Sequence, residues 1–302
     1  MSAARGNGRR VNPGRRFRPG AEAGTLVLIG GAASPNGEAL DCFLDLTRAR
    51  EGGLIVGLTT ASGDPVSSAA MWRADFDTAG ATNVELPIVA SRDHAYDSRI
   101  AARIREADGI FLGGGDQVHL IATLSGTPVG EAIQESFCRG TTVCGTSAGA
   151  AALSETTLAG GEVDIEGNLV EMYIGPGLGL LGFRLLIDTH FAQRKRLQRL
   201  FVAVADYPEL MGLGIDEDTG LVVHGHLGRV VGHGGVTFVD GASVRYDNAD
   251  EVQKGAQITF SHMRVGVVGS GHVLNLRERE LQSLVEGARA PMAHVGEAMA
   301  AE

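Results

Sequence analysis

The feature that most constrains this chain is its regular alternation, from residue 25 onward, of short apolar runs with amphipathic stretches. Residues 25–29, 54–58, 84–88, 109–112 and 141–144 are mostly apolar and of strand length. Between them, residues 38–50, 67–78, 97–107 and 129–138 carry apolar side chains at three- and four-residue spacing, the period of a helix with one buried face. Strands apolar on both faces need cover on both sides, and strand–helix repeats supply it through crossover connections. The pattern therefore predicts an α/β fold, doubly wound, with a mainly parallel sheet and helices on both faces.

The later part of the chain extends this plan and then changes texture. Residues 148–153 continue as a helix, 156–182 are Gly-rich and long enough for a functional loop, 183–187 form a strand, 191–205 a helix and 211–215 another strand. Beyond Asp216, β-branched runs broken by Gly and Asn at 221–224, 229–231, 236–239, 257–260 and 264–268 predict appended C-terminal antiparallel strands, followed by a helix at 276–286. With no internal repeat and no linker, the expected organisation is an Arg-rich N-terminal arm over 1–23, a single α/β domain over 24–288 and an Ala-rich tail over 289–302.

Charge and cysteine content narrow the function classes. A net charge of -10 argues against nucleic acid as a partner, since phosphate binding needs a basic face. The arm holds Arg5, Arg9, Arg10, Arg15, Arg16 and Arg18 with Gly and Pro, the composition of a solvated tail. Paired arginines ahead of residues 25–29 imitate a twin-arginine export signal, but the apolar run is short and Gly30-Gly31 interrupts it. No apolar run approaches membrane-span length. The three cysteines, Cys42, Cys138 and Cys144, fit neither a disulfide framework nor a zinc site, which points to a reducing, cytoplasmic compartment, with Cys144 as a buried core thiol. His224 and His226 share a strand face without a third ligand at metal spacing, so no metal and no cofactor is expected.

Chemistry concentrates at the predicted carboxyl ends of strands. Gly145-Thr146-Ser147-Ala148-Gly149 lies between an apolar strand and a small-residue helix, the setting of a nucleophile elbow. Ser147 Oγ would project where open α/β sheets bind ligands, and the Ala148 N–H would face a developing oxyanion. A serine hydroxyl needs a base and an orienting acid. Among nine histidines, His190 follows a strand and precedes a helix, and so stands at the same edge. The acid would come from Gly214-Ile215-Asp216-Glu217-Asp218, with Glu217 or Asp216 accepting from Nδ1 of His190. Gly113-Gly114-Gly115-Asp116-Gln117 follows a further strand and suits a loop whose amides, at Gly114 and Gly115, supply the second oxyanion donor; neither nucleotide-binding glycine spacing is present.

Together these residues resemble the cyanophycinase family of serine peptidases, with aspartyl dipeptidases and, more distantly, class I glutamine amidotransferases as relatives. The resemblance runs from Gly30-Gly31 through the 113–117 loop, the serine motif to Ala150, Gly177-Leu178-Gly179-Leu180-Leu181, Asp188-Thr189-His190-Phe191 with Arg194, Arg196, Arg199 and Leu200, to residues 214–219. It implies a class I glutamine amidotransferase-like fold and hydrolysis of cyanophycin, a poly-aspartate whose β-carboxyls carry arginine, to β-Asp-Arg dipeptides through an acyl-enzyme. It also implies Ser147 as nucleophile, His190 as base and then acid, Glu217 as orienting acid, Gln117, Asp188, Thr189, Arg196 and Arg199 in the substrate pocket, and a homodimer. An arginine fork can bind an aspartyl carboxylate, and a carboxylate the substrate guanidinium. The family usually has Asp-Gln-His-Phe where this chain has Thr189, which alters the grip on the aspartyl group and leaves an aspartyl dipeptidase or isopeptidase, or an inactive ligand-binding homologue, as alternatives. Thr189 also suits the N-cap of the helix expected at 191–205.

Overall fold

The computed structural model of the chain describes residues 23–163, 169–248 and 259–282. Its first half runs β1 (Leu26–Ile29), α1 (Glu38–Leu46), β2 (Ile55–Leu58), α2 (Pro65–Thr78), β3 (Val84–Glu85), α3 (Ser98–Glu106), β4 (Gly109–Leu112), α4 (Gln117–Leu124), α5 (Pro128–Cys138), β5 (Thr142–Thr146) and α6 (Ala148–Ala152). The second half adds β6 (Ser154–Val163), β7 (Leu169–Pro176), β8 (Leu181–Thr189), α7 (Leu197–Asp206), β9 (Met211–Ile215), β10 (Thr219–His224), β11 (Leu227–Gly232) and β12 (Gly235–Asp240). It closes with β13 (Tyr246–Asp247), β14 (Phe260–Ser261), β15 (Arg264–Gly269), β16 (Val273–Asn275) and β17 (Glu280–Leu281).

Local chemistry accounts for several helix starts. Asp64, Asp116 and Thr127 each accept a backbone N–H of the turn that follows, and Pro65 and Pro128 occupy first helical positions whose N–H would have no partner.

The α/β class holds, but the strands divide between two main sheets. The first has the order β17-β16-β11-β10-β1-β5-β4-β2-β3, with β1, β5, β4, β2 and β3 parallel and β10 antiparallel to β1. The second has the order β15-β12-β9-β8-β6-β7, with β6, β8 and β9 parallel. The sequence leads one to expect β8 and β9 in the first sheet. They cannot extend it beside β1, whose two edges are filled by β5 and β10.

One core lies between the first sheet, α3, α5, α6 and the inner face of the second sheet, joining Ile110, Val143 and Phe137 to Ile187, Leu213 and Val236. The opposite face of the first sheet is covered by α1 and α2, where Phe76 meets Phe111 edge-on at 5.2 Å and Cys42 and Cys144 are buried. Burial pushes the Cys42 thiol up to about 12 and that of Cys144 well above its ordinary value, so both remain protonated core groups. A third cluster seats α7 on the outer face of the second sheet through Leu186, Leu200, Val204 and Val239.

Several local expectations change. The Gly-rich 156–182 stretch contains most of the β6–β7 antiparallel pair. Residues 191–196 form turns instead of the first half of a helix, because His190 and Lys195 take left-handed conformations (φ 50 and 52) that helical backbone cannot contain. Thr189 consequently ends β8 and is no N-cap; Arg196 holds that position at α7. Of the helix expected at 276–286, residues 276–282 are turn and β17, paired with β16; the remainder lies outside the described residues, as do residues 257–258, 1–22 and the 289–302 tail.

Candidate active site

Ser147 sits between β5 and α6 with φ 52 and ψ -117, a conformation that costs a non-glycine residue about 1–3 kcal/mol and is held here by its surroundings. Its N–H donates to the Ile29 carbonyl at 2.9 Å, and its own carbonyl accepts from Ala151 at 3.0 Å. The turn needs a bare backbone at Gly149, where a Cβ would lie 2.1 Å from the Leu112 oxygen.

The second sheet delivers the partners. His190 follows β8, and its Nε2 lies 2.8 Å from Ser147 Oγ. Glu217 follows β9, and its Oε1 lies 2.6 Å from His190 Nδ1. A carboxylate can only accept, so Nδ1 carries the proton and Nε2 is free to accept from the serine hydroxyl. Three strand ends from two sheets thus form one continuous hydrogen-bonded chain. The His190 side chain is 12% exposed and that of Glu217 34%, so the chain opens to solvent at its acidic end.

Of the two acids left open by the sequence, Glu217 reaches the imidazole. Asp216 bridges Ala192 N–H and Gly235 N–H, both at 3.0 Å, and so ties the 191–196 turns to β12. Two supporting contacts lay beyond sequence reasoning. The Glu217 N–H donates to Gln193 Oε1 at 3.0 Å. The His190 N–H donates to the Gly30 carbonyl at 2.7 Å, while its ring lies directly against Gly31, which has φ +105. The Gly30-Gly31 pair itself was visible, but nothing in it indicated an imidazole as the neighbour.

The glycine loop stands beside the serine. A Cβ on Gly114 would fall 3.2 Å from Ser147 Cβ, whereas one on Gly115 would fall 1.9 Å from the Ala61 oxygen in the loop after β2. Gln117 begins α4 and donates through Nε2 to the Leu158 carbonyl at 2.6 Å.

Asp188, Arg196 and Arg199 form an ion cluster in which the carboxylate is buried and the two arginines are part-buried. The Asp188 side chain is 2% exposed and accepts from Arg199 Nε at 3.0 Å, from Arg199 Nη2, and from Arg196 Nη1 at 3.3 Å. Arg196 also donates to the Thr189 carbonyl at 2.6 Å, and Thr189 is itself buried. Burial lowers the Arg196 guanidinium to about 10; Asp188 acts against that and Arg199 and Arg194 add to it. The Asp188 carboxylate is therefore engaged by two arginines of its own chain. Asp188→Asn is expected to destabilise the fold by about 1–3 kcal/mol by removing the buried carboxylate that both part-buried guanidinium groups share, read as a lowered denaturant midpoint.

Fold and site together define a serine-type peptidase. The chain belongs to peptidase family S51, whose family model matches residues 26–231. It is 34% identical over 267 residues to a cyanophycinase of Synechococcus elongatus, covering 86% of this chain and 81% of the relative. It is 33% identical over 266 residues to a cyanophycinase of Trichormus variabilis, covering 86% and 88%. The fold is similar to the crystal structure of a peptidase from an acI-B1 Actinobacterium, with a TM-score of 0.60 over 85% of this chain and 98% of that one at 20% identity. Among the described residues, no helix is long and apolar enough to cross a membrane.

Proposed function

We propose that this peptidase is a cyanophycinase-like exopeptidase that releases β-Asp-Arg dipeptides from cyanophycin. Ser147 Oγ attacks the scissile carbonyl as His190 Nε2 takes its proton. Glu217 stabilises the imidazolium through Nδ1–H, and the N–H groups of Ala148, Gly114 and Gly115 face the oxyanion. Collapse of the tetrahedral intermediate breaks the C–N bond, and His190 gives its proton to the leaving amine. Water, deprotonated by His190, then attacks the acyl-enzyme and frees Ser147. Arg196 and Arg199, oriented by Asp188, bind a substrate carboxylate, with Gln117 and Thr189 lining the same pocket. The enzyme works without a cofactor, in the cytoplasm, as a homodimer.

The observation that carries the chemistry is the continuous Ser147–His190–Glu217 contact chain, and the similarity to cyanophycinases over most of their length supports the substrate. Incubation with the insoluble polymer, and separately with α-Asp-X and β-Asp-X dipeptides, tests it: release of soluble dipeptide from the polymer is expected, and no polymer turnover sinks the assignment.

Thr189 favours a second reading, an aspartyl dipeptidase or isopeptidase, because it lacks the long amide at that position in the resembled family. Thr189→Gln is expected to shift the ratio of polymer to dipeptide turnover toward polymer by roughly fivefold, the value of one hydrogen bond of about 1 kcal/mol. An unchanged ratio would put Thr189 outside the specificity pocket. An inactive homologue is distinguished by fluorophosphonate labelling, which the proposed site should show and Ser147→Ala should abolish.

A further inference from the structure

The chain has an open cavity of ≈ 460 Å³ that the proposed chemistry does not use, walled by Asp93, His94, Tyr96, Asp97 and Arg99 among others. It is formed by the segment between β3 and α3 together with the first turn of α3. Because β3 runs parallel to β2, β4 and β5, this segment leaves the sheet at the edge from which Ser147 projects. None of its lining residues belongs to the Ser147–His190–Glu217 site, and the His94–Tyr96 turn in its wall packs against α5.

Its walls carry both charges and an aromatic face. Asp93 is exposed, and its carboxylate has no ion pair among the described residues. Arg99 is 90% exposed and uses Nε and Nη2 on Asp97 at 3.1 and 2.7 Å, leaving its other N–H groups toward solvent. Tyr96 is 55% exposed, and the Arg92 guanidinium already lies 6.0 Å from its ring centroid, so a guanidinium is a demonstrated neighbour for this aromatic face. Arg92 is held there by the Ala122 and Ser125 carbonyls, at 2.8 and 2.9 Å. Asp93, Asp97, Arg92 and Arg99 sum to zero charge, which disfavours a simple cation or anion and suits a ligand that carries both signs.

We propose that this cavity is a secondary binding site for a zwitterionic arginyl branch of the polymer. The inference rests on the proposed substrate. Each branch, amide-linked through its α-amine, presents a free α-carboxylate and a guanidinium. The carboxylate is taken by the outward N–H groups of Arg99, and the guanidinium by Asp93 beside the Tyr96 ring. At a backbone rise of about 3.3 Å per residue a two-unit oligomer extends only about 7 Å, so occupying this site and Ser147 together takes a longer chain. The cavity then raises the effective concentration of polymer at the serine without touching the reacting atoms.

The test separates long from short substrates. The Asp93→Asn/Arg99→Gln double variant is expected to lower kcat/KM on cyanophycin by roughly three- to tenfold through lost bivalent attachment, and to leave kcat/KM on the two-unit oligomer (β-Asp-Arg)2 unchanged. In a Ser147→Ala background, where polymer is not consumed, the same pair should reduce co-sedimentation with insoluble cyanophycin by a similar factor. Equal sedimentation, or an equal loss on polymer and on the two-unit oligomer, would overturn the proposal. Failure of the unsubstituted enzyme to cleave either substrate would instead refute the substrate assignment, and the arginyl-branch site with it. Both residues are exposed, and an unchanged thermal midpoint shows that the variant is folded.

Discussion

Ser147→Ala is expected to lower kcat/KM by about six orders of magnitude, the scale on which loss of the serine disables a hydrogen-bonded serine–histidine pair. The hydroxyl is the only atom removed, and α6 and β5 keep their own hydrogen bonds, so the folded state should persist. Glu217→Gln should be less severe, at about 10⁴-fold, because the amide can donate to Nδ1 and so favours the wrong imidazole tautomer while the geometry stays in place. Steady-state turnover of a β-aspartyl peptide, with a melt of each variant, reads both effects. Near-normal activity of Glu217→Gln would mean that the 2.6 Å contact to His190 is structural only.

Gly31→Ala is the second large effect, and it acts without touching a reactive group. The added Cβ would lie 2.2 Å from His190 Cε1 and 2.4 Å from Nε2, at a residue whose φ of +105 a side chain tolerates poorly. Either the imidazole moves off Ser147 or the 30–31 backbone shifts, and the latter also carries the carbonyl that holds the His190 N–H. Misplacement of a catalytic group by about 1 Å costs on the order of 10²-fold in rate, and overpacking adds about 1–3 kcal/mol of destabilisation. Fluorophosphonate labelling should slow in parallel with turnover. Normal labelling would show that the ring does not need the space that Gly31 leaves.

The same glycine shows where the sequence was legible and where it was not. Strand and helix periodicity identified β1, β2, β4 and β5, most of α2, α3 and α5, and the elbow at Ser147, because each is set by neighbours a few residues away. Strand 84–88 shortened to Val84–Glu85 where Pro87, which has no N–H to donate, follows. His190 and Glu217 were traceable because both directly follow apolar strands, yet apolarity does not specify which sheet a strand joins. That β8 and β9 form a second sheet depends on β10 occupying the edge of β1, a pairing of residues nearly two hundred positions apart. Local pattern likewise gave a helix from 191, where the turns between His190 and Lys195 are held by Gly30, Asp216 and Glu217 from elsewhere in the chain. The Asp188 cluster was legible as a set of charges. Its internal pairing was not, since a buried carboxylate shared by two arginines and a carboxylate awaiting a substrate guanidinium have the same sequence.

The proposed reaction is hydrolysis of aspartyl-arginine polymer by the Ser147–His190–Glu217 chain. Mass spectrometry of the soluble products after incubation of insoluble cyanophycin with the enzyme and with its Ser147→Ala variant tests it most directly. The enzyme is expected to release β-Asp-Arg dipeptide and the variant none. Dipeptide release that survives the substitution, or intact polymer with both proteins, would contradict it.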